Sequence, residues 1–246
     1  MSESSGYARR NTVVVFAVLL LVMGMISSKG LDLPIPSIVR RILFIALPLA
    51  GAFFIHRGKV LANLGLTHFD VRGVAVAFVG SLALLAGLVM SGGSASVDAL
   101  ALWEKAVFPG LFEELLVRGF AFGTLFWFAG WKFERAMILT GVLFGLMHLP
   151  GAIAAGVADQ AMGAVAVTAV GGCWYAWLFA RWNRSLWVPI TAHLMFNAWW
   201  VLFSAGATAA GGGSGATWGR IAAIAVITVV TFKWTETAPE GEAETA

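Results

Sequence analysis

Residues 109–130 read PGLFEELLVRGFAFGTLFWFAG, an apolar run long enough to cross a bilayer that nevertheless carries Glu113, Glu114 and Arg118. A charged side chain is costly in hydrocarbon, so an ionisable group inside a membrane helix marks a functional site by default. Spacing separates the three. Glu114 and Arg118 stand at i and i+4 with the acid N-terminal, the favourable order for a helical ion pair, and can neutralise each other as a structural brace. Glu113 is rotated by roughly 100° from Glu114 and needs another partner, which makes it the acid or base of the set.

The rest of the 246-residue chain has the same character. Hydrophobic residues make up 59%, charged residues 12%, and mean hydropathy is +0.85. Soluble proteins carry about 25% charged residues, so the expected class is an all-α, polytopic membrane protein. The net charge of +3 does not indicate a nucleic-acid partner, because the basic residues punctuate apolar spans and form no single face. The one cysteine, Cys173, excludes an intrachain disulfide and a cysteine-based metal cluster.

Apolar runs predict a bundle of about eight transmembrane helices. They cover 11–28, 42–55 (extended by Ile38 and Val39), 73–90, 109–130, a fifth ending near His148 before Pro150 and Gly151, 161–180, 186–204 and 221–232. Interfacial helices are expected around 56–72 and 98–108, with the membrane helix restarting at Pro109, a residue suited to a first turn. The glycine-rich stretch 207–217 reads as a flexible loop. The expected organisation is a polar tail (1–11), one membrane domain (12–234) and a disordered acidic tail (235–246). His56 and His68 read as surface histidines.

Lysine and arginine counts orient the bundle. Arg9, Arg10, Arg57, Lys59, Arg72, Lys132, Arg135, Arg181, Arg184 and Lys233 fall on one side, and Lys29, Arg40, Arg41, Lys105 and Arg220 on the other. The excess belongs inside, which puts both termini in the cytoplasm. Trp103, Trp131, Trp182, Trp187, Trp218 and Trp234 sit at helix ends, as an interfacial belt requires. The compact chain shows no evident targeting signal, which points to a prokaryotic plasma membrane.

Two further spans carry polar groups well inside. The fifth presents Phe144 and His148, and the seventh His193 and Asn197, each pair at i and i+4 and therefore on one helix face. Gly119 and Gly123, with Gly141 and Gly145, form GxxxG pairs that predict close packing of the fourth helix on the fifth. Convergence of Glu113, His148, His193 and Asn197 would suit hydrolysis. A carboxylate can deprotonate water beside a histidine, and a second histidine and an amide can donate to the oxyanion. Glu113, His148 and His193 also form a zinc-type ligand set. Residue types leave a glutamate-activated and a Zn2+-activated water both open. The bland readings are a Glu114–Arg118 brace, interhelical hydrogen bonds for His148, His193 and Asn197, and core packing for Phe144. There is no HExxH, no intramembrane aspartate pair, and no histidine after the GGSG at 212–215 to make it a serine-protease nucleophile loop.

The elements Glu113-Glu114-xxx-Arg118-Gly119, Phe144-xxx-His148 and His193-xxx-Asn197, in this order over about residues 100–204, resemble those of the CAAX-protease and bacteriocin-processing (CPBP) family of intramembrane proteases. The resemblance implies an eight-helix membrane endopeptidase in which Glu113 and His148 activate water, His193 and Asn197 complete the site, and Glu114 and Arg118 organise the fold. It implies a membrane protein or lipidated peptide as substrate, including a prenylated CAAX protein that loses its C-terminal tripeptide, and no nucleic acid. Metal-independent hydrolysis is the mechanism favoured here. The rival class is non-catalytic: a transporter with a Glu–His proton relay, or an immunity or scaffold protein on the same fold. Straight spans put Glu113 and His148 toward the outer face and His193 nearer the inner one.

Overall fold

A computed structural model describes residues 11, 12, 15, 19, 36–56, 58–154, 161–203 and 213–235. Every regular element among them is helical. In chain order they are α1 (Ser37–His56), α2 (Val60–Asn63), α3 (Val71–Met90), α4 (residues 99–128), α5 (Phe133–Met147), α6 (Leu149–Ala154), α7 (Ala161–Arg181), α8 (Trp187–Leu202) and α9 (Ser214–Trp234). Val71–Met90, Phe133–Ile153, Ala161–Arg181 and Ser214–Trp234 are long and apolar enough to cross a membrane. The expected span at 11–28 lies outside the described residues except at four positions, and so does the acidic tail beyond Thr235.

The chain divides into two compact units. The first comprises the described parts of Met1–Leu64 together with Leu115–Ala176, and the second comprises Gly65–Glu114 with the described part of Trp177–Ala238.

In the second unit α3 starts where Asp70 caps it, its carboxylate accepting from the Arg72 and Gly73 backbone N–H groups at 3.0 Å each. Two orphan donors of the first turn are thereby satisfied. The helix ends at Gly92, whose φ of +77° is the left-handed conformation that glycine adopts without strain. The buried residues of α9, Ala216, Gly219, Ala223, Ile227 and Thr231, recur every three or four positions and form one stripe against α3. Small residues there let the backbones approach, as membrane helices require. Phe78, Val79, Val89 and Met90 of α3 point outward. Large apolar side chains on an outer face are stable in lipid and costly in water, so the protein is an integral membrane protein.

Two expectations about helix ends are corrected. No gap opens at Pro109: α4 is continuous from Ala99, because the Phe108 N–H bonds to the Trp103 carbonyl in a π turn that precedes the proline. The fifth span's helix ends as expected, at Met147 with His148 as its cap, and a further short helix, α6, follows with Pro150 as its second residue, where its missing N–H is harmless. The glycine-rich stretch is not loop throughout, since α9 begins at Ser214.

In the first unit, Gly141 and Gly145 of α5 face α7. A Cβ on Gly141 would meet Cys173 Sγ, and one on Gly145 would lie 2.5 Å from the Val165 carbonyl oxygen. The fourth and fifth helices do pack together, as expected, but Gly141 and Gly145 admit α7 rather than α4. Trp182 also departs from its expected interfacial place: it is buried, and Nε1 donates to Thr231 Oγ1 at 3.1 Å. His68 is exposed, as read from sequence.

Candidate active site

Each unit brings together part of the expected constellation. In the second, Glu113 and Glu114 close an α-helical turn of α4, Phe108–Glu114, and α8 supplies His193. Gly110 fixes how closely these elements meet. A Cβ there would lie 2.8–3.0 Å from Cβ, Cα and N of Leu194, so only glycine admits the α8 backbone at this distance. Trp199 of α8 donates through Nε1 to the buried Ser81 Oγ at 3.1 Å and ties the helix to α3.

His193 then sits between the two acids. Its Nδ1 is 2.7 Å from Glu114 Oε1 and its Nε2 is 4.0 Å from Glu113 Oε2. The side chain of Glu114 is fully buried and that of Glu113 is 23% exposed. Glu114 is thus more than a brace for Arg118, because it hydrogen-bonds an imidazole of another helix. Asn197 lies one turn further along α8, half-buried.

The depths expected from straight spans are corrected here. α4 begins at Ala99, ten residues before the assumed restart, so Glu113 lies about 20 Å along its helix. It reaches the level of His193, which is six residues into α8, about 9 Å from its start. That end of the unit is the basic one. Leu186 N donates to Gly65 O and Trp187 Nε1 to Leu66 O, both at 3.0 Å. Arg181 Nε donates to Thr235 Oγ1 at 3.0 Å. The start of α3, the start of α8 and the end of α9 are gathered there with Arg72, Arg181 and Arg184.

In the first unit Arg118 is fully buried. Its guanidinium stacks over Phe144 at 4.4 Å and Tyr175 at 5.0 Å, and Nη2 donates to Gly172 O at 3.2 Å. Phe144 is accordingly a platform for the cation as well as core. His148 follows α5 as its C-cap, with its ring 4.8 Å from that of Phe144. Its Nδ1 lies 2.8 Å from Phe144 O. A carbonyl only accepts, so Nδ1 carries the hydrogen and Nε2 of the neutral ring is an acceptor. Tyr175, Gly172 and the tight contact at Gly110 were not legible in the sequence. Gly110 does not stand out beside Pro109 in the sequence, and nothing local announces a cation platform at Tyr175.

Among the described residues no group of three or more His, Cys, Asp and Glu side chains is arranged to hold a metal ion. Within the second unit Glu114 occupies His193 Nδ1, leaving Nε2 and Glu113 as two donors where catalytic zinc sites use three protein ligands. These two donors alone do not make a zinc site within that unit, and no step below is routed through a metal.

A carboxylate–imidazole–carboxylate cluster among apolar helices is chemistry of the kind intramembrane hydrolases and proton carriers use. The family model described as type II CAAX prenyl endopeptidase Rce1-like matches residues 95–199. That stretch, which contains Glu113, Glu114, Arg118, Phe144, His148, His193 and Asn197, is similar to the CAAX-protease family, whose members are membrane-embedded proteases. No curated protein and no solved structure gives a significant match.

Proposed function

We propose that the protein is an intramembrane endopeptidase that cleaves a membrane-associated, CAAX-type substrate with a water activated by Glu113. The observation that carries the proposal is the placement of Glu113 Oε2 4.0 Å from His193 Nε2, inside a stretch matched by the family model. A water at hydrogen-bond distance from both, about 2.8–3.0 Å, sits at the apex of that triangle. Glu113 takes one proton as the water oxygen bonds to the scissile carbonyl carbon. The displaced electron pair goes to the carbonyl oxygen, where the Asn197 amide, on the same face of α8 as His193, donates a hydrogen bond. On collapse the C–N bond breaks, and Glu113 returns its proton to the departing amine. His148 enters through its motif as a further acceptor, since its Nε2 carries no hydrogen in the neutral ring. Arg118 and Phe144 hold the segment from which His148 projects.

The test is cleavage by purified protein in detergent of farnesylated and unfarnesylated CAAX peptides, with Glu113→Gln and His148→Ala variants and a chelator arm. Product from the wild type alone supports the reading, and preference for the farnesylated peptide assigns the prenyl group as a recognition element. Absence of product from folded wild type across all peptides counts against a CAAX protease. Loss of activity on chelation would contradict the metal-free step.

A further inference from the structure

We infer that Glu114 is the positioning residue of His193, fixing the ring hydrogen on Nδ1 so that a bare Nε2 faces Glu113. The inference rests on the protease reading for its kinetic consequence, but not for its structural part. Glu114 Oε1 lies 2.7 Å from Nδ1, its side chain is fully buried, and His193 is 9% exposed. The contact is therefore shielded from competing water. An ionised carboxylate only accepts, so it selects the tautomer with hydrogen on Nδ1. The neutral ring can then only accept at Nε2, the nitrogen 4.0 Å from Glu113 Oε2.

This changes the role of His193 in the proposed reaction. In the resting enzyme it is no oxyanion donor, because the nitrogen facing the reacting water carries no hydrogen. It holds the water by accepting from one O–H while Glu113 accepts from the other, so both protons of the water are aligned before attack. Nε2 becomes a donor only after taking the second proton, from the added oxygen as the intermediate collapses to the carboxylate, while Glu113 returns the first to the departing amine. The oxyanion is then left to the Asn197 amide. The backbone brings these groups together: Gly110 lets α4 approach α8 at Leu194, and the two acids follow within about one turn.

The test is imidazole 15N spectroscopy of the labelled protein in detergent, joined to kinetics. The chain has four histidines, and a His193→Gln sample assigns the signal. Wild type is expected to show a protonated Nδ1 and a bare Nε2 on neutral His193. Glu114→Gln, whose amide N–H can donate to Nδ1, is expected to move the hydrogen to Nε2. His148, whose Nδ1 is held by the Phe144 carbonyl, is expected to stay unchanged and serves as the internal control. In the same variant kcat falls on the order of a hundredfold or more, with KM within about threefold, as wrong-tautomer variants of carboxylate-oriented histidines behave. Glu114→Asp, which keeps the acceptor, recovers part of the rate. A bare Nδ1 in wild-type His193 overturns the inference even if Glu114→Gln does not fold, and so does a folded Glu114→Gln enzyme with unchanged kcat. The spectrum needs no substrate, so failure of the tautomer assignment is read separately from failure of peptide cleavage.

Discussion

Glu113 and Glu114 are chain neighbours with opposite surroundings, and the difference predicts opposite phenotypes. The Glu113 side chain is 23% exposed, so removing its charge leaves little buried and unpaired. Glu113→Gln is expected to melt within a few degrees of wild type in detergent while cleavage falls by about 10²–10⁴, the range for a lost general base. Arg118 is the contrary case. It is wholly buried, stacked on Phe144 and Tyr175 and bonded to the Gly172 carbonyl. Arg118→Gln loses a charge-assisted hydrogen bond and the desolvated cation–π contacts, together about 3 kcal/mol or more. A large drop in melting temperature is expected, with activity tracking the folded fraction. A melting temperature equal to wild type would show that the stack contributes nothing. Glu113, Arg118, His148 and His193 were legible in the sequence because a polar group in an apolar helix is conspicuous. The partner of Glu114 was not: the i,i+4 arginine offered a sufficient local explanation, and only α8 packing against α4 brings in the imidazole.

Among the elements, the glycines differ more than their shared spacing suggests. Gly110 faces backbone atoms of Leu194, which cannot rotate aside as a side chain would. Gly110→Val is therefore expected to push α4 off α8, separating Glu114 from His193 and abolishing cleavage. Much of the fold should survive, because α3 packs extensively on α9 as well as on α8; helical circular dichroism beside an activity assay reads both. Gly145→Ala brings a methyl to 2.5 Å from the Val165 carbonyl oxygen and should destabilise the α5–α7 contact. At Gly123 a Cβ would meet atoms no nearer than 3.5 Å, ordinary van der Waals contact. Gly123→Ala is expected to be neutral or to stabilise by up to about 1 kcal/mol through helix propensity. A melt of the Ala variants in parallel decides whether the two GxxxG pairs are equivalent, as the sequence implied. Hydropathy located the helices because twenty apolar residues have few alternatives in a bilayer. It could not place the π turn before Pro109, which depends on which carbonyl takes up the displaced hydrogen bond. That single shift moved the apparent depth of Glu113 by ten residues.

For the molecule in its membrane, the distribution of charge and the level of the site lead to one statement about access. In the second unit the start of α3, the start of α8 and the end of α9 are tied together at an end carrying Arg72, Arg181 and Arg184. The excess of lysine and arginine counted along the sequence predicts that this end faces the cytoplasm. His193 is about 9 Å into α8 from that end, within the first third of a hydrocarbon core of about 30 Å. A substrate segment arriving from the cytoplasm thus needs to enter by roughly two helical turns to reach Glu113, and no group has to cross the membrane centre. The prediction is read by labelling single cysteines with a membrane-impermeant thiol reagent, on a Cys173→Ala background. Lys233→Cys, at the last turn of α9, is expected to be protected in intact cells and modified once the membrane is opened. Ser94→Cys, in the exposed segment after α3, is expected to be modified from outside without permeabilisation. The reverse pattern would invert the protein, open the site to the outer face, and replace cytoplasmic substrates with ones delivered from the other side.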